Sequence, residues 1–285
     1  MPSLIDIRRR IRSVKNTQQI TKALKMVSAA KLRRAQERVV AARPYVAMLG
    51  KVLANVAAAV AADGGAEENP LLATRPERRV LLVLVTSDTG KAGAFNTNLI
   101  KAAQRFMAER PEAAVTLETI GRKGRDFFRK RGASISGEHT GMAKAPYADI
   151  AAIAHQAMET FRAGETDAVY VLFNGFKSVM AQTLTIARLL PAEAPKSAEP
   201  IDYIFDQPPA VILGALLPKY VEMAFYRALL ESTAAEHGAR MTAMDAATSN
   251  AAEMIDKLTL YMNRVRQASI TKEIIEVVSG AAGAE

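Results

Sequence analysis

Apolar residues recur at helical spacing at both ends of the chain and at strand spacing only in its middle. Near the start, Leu4, Ile7, Ile11 and Val14 follow one another at intervals of three and four. Ile20, Leu24 and Val27 extend the stripe through a strongly charged background, the pattern of a long amphipathic helix. Ser3 is placed to cap its N-terminus, and Asp6 lies in the first turn, where a carboxylate is favoured. Alanines at 29, 30, 35, 41, 42 and 47 favour helix as well. Pro44 is discordant and predicts a kink or break near Arg43. At about 1.5 Å per residue such a helix makes a rod on the order of 90 Å.

The far end of the chain carries a second rod. After Pro208 and Pro209, residues 210–278 contain one proline, Pro218, and two glycines, Gly214 and Gly238. Within this segment Met241, Met244, Thr248, Ala251, Ile255, Leu258, Met262 and Val265 are spaced alternately by three and four. That heptad seam predicts a left-handed coiled coil, with Ile255, Leu258, Met262 and Val265 as its outer stretch. Ile270, Ile274, Val277 and Val278 carry an apolar end beyond it.

Between the rods the pattern changes. Residues 62–78 are polar and broken by Gly and Pro, as a linker is. A continuous apolar run at 80–85, rich in β-branched valine, reads as a strand buried on both faces. Helices follow at 95–109, 123–131 and 148–163, alternating with strands at 115–120, 133–135, 168–174 and 182–189. This alternation predicts a small, Rossmann-like α/β domain with a largely parallel sheet. The expected organisation is an N-terminal helix at 1–61, the linker at 62–78, an α/β domain at 79–207 and a C-terminal helix at 208–285. The two rods are expected to pair as an antiparallel coiled coil, since each then offers an apolar seam to the other.

Composition removes several classes of function. The 285 residues contain no cysteine, which excludes disulfides, thiolate nucleophiles and cysteine-built metal sites. The three histidines, His139, His155 and His237, lack metal-ligand spacing, and each reads as a surface or capping residue. The apolar runs fall short of the ~20 residues of a membrane span, so the chain reads as soluble. The net charge of +9 is localised: residues 1–43 hold twelve Lys/Arg and two acids, and the other 242 residues hold 26 basic and 27 acidic groups. A segment of that kind expects an anionic neighbour. Nucleic acid is the alternative partner, but the first aromatic residue is Tyr45, so the basic stretch offers no base-stacking platform. Acidic protein surfaces fit better.

The most enzyme-like feature is 86–96, Thr-Ser-Asp-Thr-Gly-Lys-Ala-Gly-Ala-Phe-Asn, between a strand and a helix where phosphate loops occur. A Walker loop needs glycine where Val85 stands and a hydroxyl where Ala92 stands. The dinucleotide fingerprint fails too, because the glycines are Gly90 and Gly93 only. A tight packing turn is the better reading. Gly121-Arg-Lys-Gly-Arg125 is a basic glycine loop without an acid, base or nucleophile beside it, and reads as a solvated turn. Asp245 and Glu253 read as solvated carboxylates of the C-terminal helix. No catalytic constellation, metal site or cofactor site emerges.

Three segments nevertheless carry a specific resemblance. Residues 11–31, Ile-Arg-Ser-Val-Lys-Asn-Thr-Gln-Gln-Ile-Thr-Lys-Ala-Leu-Lys-Met-Val-Ser-Ala-Ala-Lys, resemble the N-terminal signature of the γ subunits of F-type ATP synthases. Residues 240–250, Arg-Met-Thr-Ala-Met-Asp-Ala-Ala-Thr-Ser-Asn, and 263–280, beginning Asn-Arg-Val-Arg-Gln-Ala-Ser-Ile-Thr-Lys-Glu, resemble its C-terminal signatures. The likeness spans the chain, although Leu24 stands where methionine is frequent. Thr89 and Lys91 replace an arginine and a small apolar residue of the foot loop.

The resemblance implies a non-catalytic rotor shaft whose coiled coil turns inside an α3β3 ring. Its α/β foot would join the ε subunit to the c-ring. It assigns Arg266, Gln267 and Thr271 to a catch loop of the β subunit, Arg240 and Glu276 to coupling, and Tyr203, Phe205 and Asp206 to the polar loops of the c-ring. It implies no cofactor, no nucleic acid and membrane association only through the complex. The signature begins almost at Met1, which resembles a bacterial protein at the cytoplasmic face of the inner membrane.

Overall fold

The computed structural model describes residues 3–62, 69–179, 181–193 and 205–282. In chain order they form α1 (Leu4–Ala62), β1 (Arg79–Val85), α2 (Phe95–Ala108), β2 (Ala114–Ile120), α3 (Arg122–Arg129), β3 (Ile135–His139), α4 (Tyr147–Arg162), β4 (Ala168–Phe176), β5 (Gln182–Leu190) and α5 (Pro209–Ala282), with a single 3-10 turn at Met142–Lys144. Two compact units result: Ala29–Ala239, and Met1–Ser28 together with Arg240–Glu285. Each long helix supplies residues to both.

In the larger unit the sheet order is β3-β2-β1-β4-β5. β1, β2, β3 and β4 run parallel and only β5 is antiparallel. β1 takes the centre because its run of Val and Leu tolerates burial on both faces. On one face Leu81, Val83 and Val85 meet Ile150, Ala157 and Phe161 of α4, Leu53 and Val56 of α1, and Leu217 and Phe225 of α5. By strand alternation Leu82 and Leu84 point the other way. α2 covers that face with buried Leu99, Ala103 and Phe106, and Phe106 meets Tyr170 edge-on at 5.1 Å.

Three expectations are modified. β3 runs from Ile135 to His139, so the predicted strand at 133–135 ends where the real one begins. α1 passes through Pro44 unbroken. Buried Val39 and Leu49 flank that proline, and their packing offsets the missing backbone bond. Leu71, within the stretch read as a polar linker, is fully buried in the core. The Ala-rich end of α1 is long and apolar enough to cross a membrane, yet Leu53, Val56 and Val60 on it are core residues.

Asp167 ties the loop before β4 to β1. Its carboxylate accepts from the Arg79 backbone N–H at 2.8 Å and from the Arg79 guanidinium at 2.9 Å, with its side chain 6% exposed. These bonds hold its carboxyl below the usual carboxylate range. A lowered folded-state pKa gives stability that is fully present above the unfolded value of about 3.9 and is lost as pH falls through the lower folded value. Asp167→Asn is expected to cost about 2 kcal/mol near neutrality and to flatten this acid-side loss, as thermal melts from neutral to acid pH report.

In the smaller unit α1 opens with reciprocal capping. The Asp6 N–H donates to the Ser3 hydroxyl at 3.2 Å, and the Ser3 N–H and hydroxyl donate to the Asp6 carboxylate at 3.3 and 2.9 Å. The Ser3 bonds hold the Asp6 carboxyl below its ordinary range.

Two cross-links set the helix pairing: the Thr21 and Thr248 hydroxyls are 2.8 Å apart, and Lys25 Nζ lies 2.5 Å from Asp245. Four residues forward on α1 match three backward on α5, so the helices are antiparallel. Extended outward, that register sets Val14 opposite Ile255, Ile11 opposite Leu258, Ile7 opposite Met262 and Leu4 opposite Val265. Ile7 is buried, and the four α5 partners are half-buried. Beyond Val14 the inward face of α1 carries Gln18, Thr21, Leu24, Lys25 and Ser28. Ile20 and Val27, expected on the stripe, are 57% and 50% exposed. At about 100° per residue Ile20 stands roughly 120° around the helix from Val14, so the apolar residues left the seam while polar ones stayed on it.

Candidate functional site

Past Val265 the register leaves α5 beyond the start of α1. From Ile270 to Ser279 every residue is exposed, including Ile270, Ile274, Ile275, Val277 and Val278. An apolar helix end of this size asks for an apolar surround. Just below it Arg266 is exposed, and its side chain makes no hydrogen bond or ion pair among the described residues. Gln267 and Thr271 are exposed one turn apart, the Thr271 hydroxyl donating to the Gln267 carbonyl at 3.0 Å. Glu276, also exposed, lies 3.4 Å from Lys272. Arg266, Gln267 and Thr271 therefore share one stretch of free helix surface, with Glu276 further towards the end. Arg240, by contrast, is buried and already partnered within the fold.

The α1 surface is strongly cationic. Arg8, Arg9, Arg10, Arg12, Lys15 and Lys22 are all exposed, and none has an ion pair among the described residues. Repulsion between them is tolerable only while solvent or an acidic partner screens it. In the larger unit Phe205 is half-buried against the core and Asp206 is exposed. Tyr203 lies outside the described residues.

At the carboxyl ends of β1 and β2, where doubly wound folds bind ligands, the chain has closed the crevice. Thr86, Asp88 and Gly121 face Leu229, Ser232, Thr233 and Glu236 of α5 across a cavity of about 20 Å³. That is room for about one water molecule, against the several hundred Å³ of a nucleotide pocket. The 86–96 loop engages its polar groups internally. Ser87 N–H donates to the Asn96 side chain at 3.0 Å, and the Ser87 hydroxyl to the Thr89 carbonyl at 2.6 Å. The Asp88 carboxylate accepts from the Arg122 and Gly141 N–H groups at 3.1 and 2.9 Å. It is a packing turn. Lys91 within it adopts φ +66°, a conformation that strains a non-glycine residue.

Among the buried carboxylates that escaped the sequence reading, two face histidines. Glu222, 0% exposed, receives the Tyr147 hydroxyl at 2.7 Å and Lys219 at 3.0 Å, and sits 3.0 Å from His155. Burial pushes its carboxyl up, but Tyr147, Lys219 and His155 outweigh burial and hold it below its ordinary value. Burial and the same bond raise the Tyr147 phenol. Glu118 is likewise buried, 2.8 Å from His139. Asp245, read as solvated, is exposed and also pairs with Lys25, while Glu253 lies 3.9 Å from Lys257. No cluster of three or more His, Asp or Glu with metal-binding geometry occurs among the described residues.

Comparison with known proteins decides the family. The family model described as ATP synthase matches residues 3–283. An ATP synthase gamma chain of Solibacter usitatus (strain Ellin6076) is 73% identical over 286 residues, covering all of both chains. The chain belongs to the ATP synthase gamma family. The gamma chain of Pelotomaculum thermopropionicum (strain DSM 13744 / JCM 10971 / SI) is 50% identical over 289 residues, again covering both chains fully. The fold matches a chain of the Euglena gracilis mitochondrial ATP synthase rotor with a TM-score of 0.64 at 17% identity, over 94% of this chain and 98% of that one. A chain of the Tetrahymena thermophila mitochondrial central stalk and c-ring gives 0.61 at 22% identity, over 80% and 99%. This membership replaces the nucleic-acid reading of the basic helix. The chain is a central-stalk subunit of an ATP synthase, without a catalytic site of its own.

Proposed function

We propose that the chain is the rotor shaft of a bacterial ATP synthase, carrying torque between a proton-driven c-ring and the catalytic α3β3 ring. The observation that supports this most directly is the helix pair itself: an outward-facing row of unpaired cations on α1 and, at the far end, a bare apolar stretch of α5. The cations suit acidic levers of the β subunits, and Ile274, Val277 and Val278 suit an apolar sleeve at the top of the ring. An asymmetric shaft presents a different face to each β subunit. Differential contact with the three states is what gives them different nucleotide affinities.

Arg266, Gln267 and Thr271 meet a catch loop of β, exposed as they are on one stretch of α5. Glu276 acts near the tip, and Arg240 contributes by stiffening the base of the pair from within. Tyr203, Phe205 and Asp206 form the foot contact with the c-ring, beside the ε subunit. The complex holds the chain at the cytoplasmic face of the inner membrane. Affinity purification of the tagged chain from detergent-solubilised host membranes tests this. Recovery of α and β in excess, with ε, c and magnesium-dependent ATPase activity, is the expected result; a chain recovered alone or with nucleic acid overturns it.

A further inference from the structure

We infer that Thr21, Lys25, Asp245 and Thr248 are positioning residues that select the register of the two shaft helices, an inference that rests on the shaft reading above. The apolar seam outside them is heptad-periodic on both helices. Slide one helix by a heptad and Ile7 meets Ile255, Leu4 meets Leu258 and Ile11 meets Ala251, apolar against apolar as before, with only Val14 set against a polar residue, Thr248. Within the smaller unit, burial of apolar surface therefore discriminates weakly between registers.

The polar layer does discriminate. Thr21 is buried and donates to the Gln18 carbonyl at 3.0 Å, while the Thr248 hydroxyl shares its one proton between the Thr21 hydroxyl at 2.8 Å and the Met244 carbonyl at 2.7 Å. One turn along, Lys25 and Asp245 meet at 2.5 Å, both partly exposed. A heptad shift sets Thr21 against Met241 or Ile255 and separates the ion pair. An exposed pair is weak in isolation, but its energy differs between registers, and specificity depends on that difference. A polar layer interrupting an apolar seam is the usual device for fixing register in paired helices, at some expense of stability. Ser28, one turn further along α1, turns its hydroxyl back to the Leu24 carbonyl at 2.7 Å.

The chain contains no cysteine, so engineered disulfides map the register directly in the assembled complex. Ile7→Cys with Met262→Cys reports the native register, and Ile7→Cys with Ile255→Cys reports the shifted one. Lys25→Asp with Thr21→Val opposes two carboxylates and removes the hydroxyl bond. The native disulfide should then close about threefold more slowly, the shifted one should appear, and proton uptake per ATP hydrolysed should fall about twofold. Exchanging the charges, Lys25→Asp with Asp245→Lys, should restore pairing and pumping relative to Lys25→Asp alone, an effect that a mere loss of stability does not produce. If Lys25→Asp alone prevents assembly, recovery on exchange counts equally in favour. Native closure at the wild-type rate in the Lys25→Asp, Thr21→Val variant, or an exchange no better than Lys25→Asp alone, overturns the inference. If the wild-type complex itself pumps no protons, the shaft reading fails, and the disulfide pattern still decides the register.

Discussion

Replacing Ile255 or Leu258 by Asp is expected to leave ATP hydrolysis running while ATP-driven proton uptake in vesicles falls about tenfold. Both side chains are half-buried on the inward face of α5, and the register sets them opposite Val14 and Ile11. A carboxylate there loses the apolar contact and resists desolvation, a combined cost of about 2–4 kcal/mol in the pair. The pair opens locally, and torque applied at one end no longer fixes the angle at the other. Hydrolysis survives because this chain contributes no catalytic group. Met254→Asp is the control: Met254 is exposed on the outer face beside Ile255, so the same charge one position away should leave coupling within about twofold of wild type. Proton uptake and phosphate release measured on the same vesicles separate the cases. Tight coupling in both seam variants would sink the paired-helix account of the shaft.

How much of this was legible in the sequence depended on what each segment packs against. β1 and β4 were read within a few residues because strands buried on both faces announce themselves by continuous apolar runs, and β5, partly exposed at the sheet edge, by its Thr, Leu and Ile residues. The α5 seam was legible because Ile255, Leu258, Met262 and Val265 are apolar and face inward. Past Val14 only Leu24 of the stripe read on α1 faces inward, for the opposite reason: Gln18, Thr21 and Ser28 occupy its seam, while Ile20, Met26 and Val27 face out. On a helix that also exposes apolar residues on its outer side, hydrophobicity alone does not report which side is inside. β3 was displaced because Ser136, Gly137 and Glu138 give an edge strand little apolar signal. The His139–Glu118 contact needed the β2–β3 register, which no local pattern contains. Arg266, Gln267, Thr271 and Glu276 could be singled out only through the family signatures. Their spacing alone describes any exposed helix.

Gly121→Ala is expected to destabilise the larger unit by more than about 3 kcal/mol, enough to prevent assembly of the complex at ordinary growth temperature. Gly121 follows β2 with φ +98°, in a region that side chains rarely enter. A Cβ there would lie 2.1 Å from the Thr86 carbonyl oxygen, which is backbone and has nowhere to go. That contact is tight because the Thr86 N–H donates to the Ile120 carbonyl at 2.7 Å and the Gly121 N–H to the His139 carbonyl at 2.7 Å. The Thr86 hydroxyl also accepts from Gly124 N–H at 2.9 Å, closing the turn into α3. The basic glycine loop, read from sequence as a solvated turn, is thus fixed by backbone contact with β1. Gly132→Ala separates the two contributions. Its φ is +66°, but nothing lies within 4 Å of an added Cβ, so only conformational strain remains, about 1 kcal/mol. Thermal melts of the two variants should differ in that order. If Gly121→Ala melts like Gly132→Ala, the β1–β2 ends are looser than their hydrogen bonds imply, and the closed crevice between them and α5 has room to open.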